Sequence, residues 1–135
     1  SVFEIFKGLE KQLLKSNRPS IINIASIYGS KLPNFDIYKN TKIFNPPEYS
    51  SSKAALIYLT KWMAKKYKKI RINSISPGGV FRKQNKKFVN KYIKKTNQNR
   101  MATEKDIINL IIFLISDDSI YINGQNIVLD SGFTL

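Results

Sequence analysis

Three short apolar runs, set apart by segments with helical patterning, constrain this chain more than any other feature. The runs are SIINIA (20–25), IRINSIS (70–76) and GQNIVLD (124–130). The first is nearly continuous in apolar character, the mark of a parallel strand buried on both faces. Helical patterning precedes it at 1–16 and follows at 49–67 and 103–115. The order helix, strand, helix, strand, helix, strand predicts an α/β unit with a parallel sheet, about three strands and three to four helices. Ligands in such sheets sit outside the carboxyl ends of the strands.

In segment 1–16, Val2, Phe3, Phe6, Leu9, Leu13 and Leu14 fall near helical spacing with lysines between them, and Asn17-Arg18-Pro19 ends the pattern. The first run delivers Ser26 at its C-terminal end. Gly29 then begins a loop of roughly twenty residues, long enough to indicate a functional role. The 49–67 segment is apolar on more than one stripe, which predicts packing on the sheet and self-association through a second face. Pro77-Gly78-Gly79 stops the second strand. Residues 81–100 read as irregular or helical and are very basic. Thr103 suits an N-cap, with Asp106 adding negative charge to the helix start. The apolar run 107–115, interrupted only by Asn109, reads as a buried helix.

The chemistry centres on Tyr49 and Lys53 in YSSSKAALIYLTKWMAKKY. Four residues apart on a helix, they share one face. A free phenol is a poor base at neutral pH, and an ammonium a few ångströms away favours the phenolate. A phenol so placed can exchange a proton with a substrate hydroxyl or carbonyl oxygen. Tyr38 and Lys42 have the same spacing, but asparagines and Pro46-Pro47 surround them, which predicts a solvated loop. Tyr49 instead opens a long run free of Gly and Pro, with Ser50 to Ser52 suited to a helix start.

Composition narrows the alternatives. The chain has no cysteine and no histidine, so no disulfide framework or thiolate metal site is available and the commonest general base is absent. No metal site is expected. At 135 residues with 42% hydrophobic content it forms at most one domain. No stretch is apolar enough to span a bilayer and no secretory signal is visible, so a cytoplasmic protein without membrane contact is expected. The net charge of +14 raises nucleic acid as a partner. Most lysines are scattered, however, and the densest cluster, RKQNKKFVNKYIKK (82–95), reads as a solvated amphipathic helix; no nucleic-acid partner is expected.

The pieces IINIAS, YSSSKAAL, IRINSISPGGV, NRMATEKDI and NGQNIVLDSG, in that order, resemble the short-chain dehydrogenase/reductase family. The resemblance implies the C-terminal half of a Rossmann-like doubly wound parallel sheet and NAD or NADP as cofactor. It implies that Ser26 orients the substrate oxygen and that Tyr49 is the acid/base. Lys53 would serve the phenol and hold the nicotinamide ribose, and Pro77, Gly78, Gly79 and Val80 would lie under the nicotinamide ring. Hydride would pass between cofactor and a small-molecule alcohol or carbonyl.

Two departures from the family pattern stand out. The gap from Ser26 to Tyr49 is nearly double the usual one, and Tyr38 would fit the ordinary gap. The insert PNFDIYKNTKIFNPPEY is similar to that of oxidoreductases from bacterial sugar-modification clusters, including flagellin modification, which points to a sugar derivative as substrate. Further, no G-x-x-x-G-x-G turn precedes Ser26, and such a turn cradles the cofactor pyrophosphate. The chain, whose first residue is Ser1, therefore reads as a partial Rossmann-like domain over residues 1–135 that is inactive alone. The rival expectation is a truncated, non-catalytic interaction subunit using the two-faced helix; a basic nucleic-acid-binding module is a distant third.

Overall fold

The structure, a computed structural model, describes residues 1–135. Seven main elements follow in order: α1 (Val2–Leu13), β1 (Ser20–Ile24), α2 (Pro47–Lys66), β2 (Arg71–Pro77), α3 (Lys86–Ile93), α4 (Glu104–Ile115) and β3 (Asn126–Leu129). The strands form one parallel sheet in the order β1-β2-β3. Ile24 pairs with Ile75 and Pro77 with Leu129, so all three strands end at the same edge of the sheet.

The helix boundaries follow from local chemistry. Ser1 and Glu4 form a capping box on α1, and Thr103 and Asp106 form another on α4, as Thr103 predicted. Helix α2 begins two residues before Tyr49, with Pro47 at N1, where the missing N–H costs nothing, and no side-chain cap. Its serines therefore do not cap it. Ser51 and Ser52 lie inside the first turns and donate back to the carbonyls of Pro47 and Tyr49 at 2.8 and 2.7 Å.

Two apolar clusters hold the layers together. One joins Phe6 of α1, Met63 and Ala64 of α2, and Ile70 and Ile72 of β2. The other joins Ile37, Phe88, Tyr92 and Met101, folding the long loop onto α3. A buried polar link adds specificity: the Asn23 amide donates to Thr60 Oγ1 at 2.9 Å, tying β1 to α2.

Burial corrects two expectations. Strand β1 is not covered on both faces: Asn23 is its one buried residue and Ile24 is 41% exposed, because β1 is an outer strand of this sheet. The run 107–115 is not a buried helix either. Within α4 only Leu114 is buried, while Ile108, Ile112, Phe113 and Ile115 are exposed, since α4 packs mainly against β1 and the turn Asp117–Ser119. By contrast β2 is buried from Ile72 to Pro77. The basic segment behaves as an amphipathic helix, with Phe88 and Tyr92 turned into the core and lysines outward. No helix is long and apolar enough to cross a membrane.

Candidate active site

The common edge where the strands end carries a cleft of about 370 Å³. Residues from three separate places in the sequence line it: Ser26 after β1, Tyr49 and Lys53 on α2, and Pro77 to Val80 after β2. All of the site residues read from sequence are thereby brought together.

Ser26 is buried, and its hydroxyl accepts from the Tyr28 N–H at 3.2 Å as it caps a short 3-10 turn, Ile27–Gly29. That turn sits against α2 so closely that a Cβ on Gly29 would lie 2.7 Å from the Lys53 carbonyl carbon. Only glycine allows this approach. The contact fixes the Ser26 turn relative to the face of α2 that carries the Tyr49–Lys53 pair.

On that face the Lys53 ammonium lies 5.7 Å from the Tyr49 ring centroid. It also donates to the Ile24 carbonyl at 2.9 Å, a carbonyl freed at the strand's end. Lys53 thus ties α2 to the strand end and keeps its ammonium near the Tyr49 ring. Tyr49 is 41% exposed, and its hydroxyl makes no hydrogen bond within the chain.

The floor of the cleft comes from the turn after β2. Gly78 donates to the Leu129 carbonyl, and Gly79 donates to the Tyr92 hydroxyl. A Cβ on Gly79 would lie 2.8 Å from the Tyr92 ring, so the backbone rests directly on that ring. Tyr92 in turn stacks on Phe133 at 4.3 Å. Burial pushes the Tyr92 phenol up to about 12, so it stays neutral and acts as a prop. The Val80 N–H, next along the turn, finds no acceptor in the chain.

The long loop departs from its expected solvated state. Tyr38 is half-buried, packed on Phe88 at 5.6 Å, with its hydroxyl donating to Tyr28 Oη at 2.9 Å. Burial raises both phenols above the ordinary range. A 3-10 turn, Phe35–Ile37, drives Ile37 into the core and brings Tyr38 back over the cleft, while Lys42 stays exposed. Asn45, near the loop's end, completes the wall. Sequence reasoning missed Tyr28, Asn45 and Tyr92 as lining residues. Phe88 and Tyr92, four apart in the basic segment, were the one available signal, and that segment reads from sequence as a solvated amphipathic helix.

The site is thus a tyrosine–lysine pair and a serine gathered at the carboxyl edge of a parallel α/β sheet. A family model described as enoyl-(acyl carrier protein) reductase matches residues 1–134, and the chain belongs to the short-chain dehydrogenase/reductase family. Post-translational flagellin modification protein A of Campylobacter coli is 37% identical over 123 residues, which is 90% of this chain and 48% of that protein. The 3-oxoacyl-[acyl-carrier-protein] reductase FabG of Thermotoga maritima is 29% identical over 99% of this chain and 53% of its own. A short-chain dehydrogenase from Leptospira borgpetersenii, solved with bound NAD+, superposes with a TM-score of 0.83 at 36% identity, over 96% of this chain and 49% of that one. The chain spans about half the length of the curated relatives it matches.

Proposed function

We propose that the cleft is the chemical centre of an NAD(P)-dependent oxidoreductase acting on an alcohol/carbonyl pair. The observation that carries this is the convergence of Ser26, Tyr49, Lys53 and the turn from Pro77 to Val80 on one cavity at the carboxyl edge of the sheet. Two features suit a nicotinamide ring and its ribose: the unpaired Val80 N–H, a ready partner for a carboxamide, and the Lys53 ammonium in the same cleft. Solved relatives above 30% identity carry NAD+ in one case and NADH in another, 4-hydroxyisoleucine dehydrogenase.

When bound, the cofactor supplies or accepts the hydride. Tyr49, whose hydroxyl is free of internal partners, passes the proton to or from the substrate oxygen. Ser26, lining the same cleft, holds that oxygen. Lys53 places positive charge beside the phenol, favouring the form that develops as the proton leaves. The Tyr92 prop holds the backbone from Gly79 to Val80 in the shape that would receive the nicotinamide. A sugar derivative is the substrate class we favour, given the flagellin modification protein among the relatives.

Residues 1–135 contain no glycine turn for the pyrophosphate before Ser26, so by themselves they hold one end of the cofactor only. Titrating the isolated chain with NADH and NADPH by fluorescence tests this: weak binding and no turnover are expected. Low-micromolar binding would show that the cofactor grip has been misplaced. The exposed Tyr58 and Trp62 on α2 also support self-association through the 49–67 helix, although Phe3 of α1 covers one edge of Trp62 at 5.8 Å. Light scattering at micromolar concentration checks it; a clean monomer refutes it.

A further inference from the structure

The wall of the cleft built by the long loop carries polar capacity that the proposed reaction leaves unused. The Tyr28 and Tyr38 hydroxyls share one hydrogen bond at 2.9 Å, which occupies one of their two protons. With Tyr38 donating, the Tyr28 O–H has no acceptor anywhere in the chain. A phenol that accepts one hydrogen bond becomes a stronger donor of the next. Asn45 supplies the complement. Its amide nitrogen donates to Ser50 Oγ at 3.0 Å, leaving Oδ1 without a donor. Both residues line the same cavity, and Phe88, packed on Tyr38 at 5.6 Å, lines it with them.

An otherwise aromatic wall with one free donor and one free acceptor selects its ligand by elimination. An alkyl or acyl chain leaves both groups desolvated and unpaired, a cost of about 1–3 kcal/mol for each. A carboxylate only accepts, so it can pair with the phenol but leaves the Asn45 oxygen without a donor. A hydroxyl both donates and accepts, and a ring bearing two of them satisfies both groups while its C–H face lies on the aromatics.

We propose that Tyr28 and Asn45 are specificity-determining contacts for a polyhydroxylated substrate, and that Tyr38 is the positioning residue that fixes the Tyr28 hydroxyl as a donor. The inference rests on the functional reading above and extends it to residues that reading does not employ. Burial keeps both phenols protonated well above neutral pH, so neither competes with Tyr49 for the proton transfer.

The test uses the full-length gene product and a matched pair of probes, cis-1,2-cyclohexanediol and cyclohexanol, which differ by one hydroxyl and both fit a cavity of about 370 Å³. Binding is followed by NMR of protein labelled at the tyrosine ring carbon bearing the hydroxyl, with signals assigned through Tyr→Phe variants. The diol is expected to shift the Tyr28 and Tyr38 signals and to bind at least about tenfold more tightly than the mono-alcohol. Tyr28→Phe should bring that ratio to within about twofold, and Tyr38→Phe should lower it part-way, with cyclohexanol affinity unchanged in both. A merely structural role would weaken both probes together and leave the ratio intact. Asn45→Ala, checked for folding by circular dichroism, reads the same ratio independently should a tyrosine variant misfold. Equal binding of the two probes, no shift with either, or a ratio that survives Tyr28→Phe overturns the proposal. Because the readout is binding, the two readings fail separately. Turnover that persists in Tyr49→Phe defeats the functional reading, whereas a missing diol preference in an enzyme that depends on Tyr49 defeats this one alone.

Discussion

Tyr49 stands on the first turn of α2, open to solvent, with an ammonium 5.7 Å from its ring and no hydrogen bond on its hydroxyl. Tyr28 and Tyr38, in the same cleft, are half-buried and face each other phenol to phenol at 2.9 Å, with an aromatic ring behind. The residue type is the same and the surroundings are opposite. Burial favours the protonated form of Tyr28 and Tyr38, whereas Tyr49 leaves its hydroxyl free at the cleft surface. One cleft can therefore hold a tyrosine suited to exchanging protons and two suited to keeping them.

The comparison breaks most readily at Lys53. Replacing Lys53 with Ala removes the charge beside Tyr49, the tie to the Ile24 carbonyl and the proposed ribose contact at once. A loss in kcat/KM on the order of a thousandfold or more is expected in the full-length product, with weaker NAD(H) binding alongside. Steady-state kinetics and a fluorescence titration check both parts. A variant within tenfold of wild type would mean that the cation has no part in the chemistry.

Gly29→Ala sharpens the geometric side. The new methyl would sit 2.7 Å from the backbone of Lys53, so the Ser26 turn and α2 must separate. We expect about 1–3 kcal/mol of destabilisation by thermal or urea unfolding, with lowered turnover. Wild-type stability would show that the contact between turn and helix yields easily.

The prop beneath the cleft floor has a signature in pH. The folded Tyr92 phenol, near 12, lies above the ordinary unfolded value of ~10. Its neutral form is thus favoured by folding, and its contribution is intact below pH ~10 and lost as pH rises through about 12. Urea midpoints measured from pH 9 to 12 should fall across that window, less steeply in Tyr92→Phe. Parallel curves would assign the alkaline loss to other groups.

The smallest effect belongs to Tyr38. Because its hydroxyl serves Tyr28 and not the reacting atoms, Tyr38→Phe should change kcat for a simple alcohol by no more than about threefold.

Much of this arrangement is legible in the sequence because periodicity and strand ends carry it. SIINIA and IRINSIS place Ser26 and Pro77 at one edge without reference to tertiary contacts, and helical spacing alone pairs Tyr49 with Lys53. Burial was harder to read. The apolar run of α4 looks like core, yet most of it is exposed, because burial depends on neighbours that the run itself does not specify. Tyr38 failed in the opposite direction. Its asparagine-rich surroundings indicate solvent, but Ile37 beside it is 1% exposed and carries it inward. Tyr28 and Asn45 have no periodic partner at all, and only the folding back of the loop brings them to the cleft.

The central claim separates proton transfer from binding, and one paired measurement on the full-length product addresses it. Tyr49→Phe and Tyr38→Phe are each titrated with NADH by fluorescence and assayed for turnover on the same alcohol. The account predicts cofactor affinity within about twofold of wild type in both, with kcat lowered on the order of 10²–10⁴ in Tyr49→Phe and nearly intact in Tyr38→Phe. A severe loss in Tyr38→Phe with a mild one in Tyr49→Phe would contradict it and assign the chemistry to the other pair.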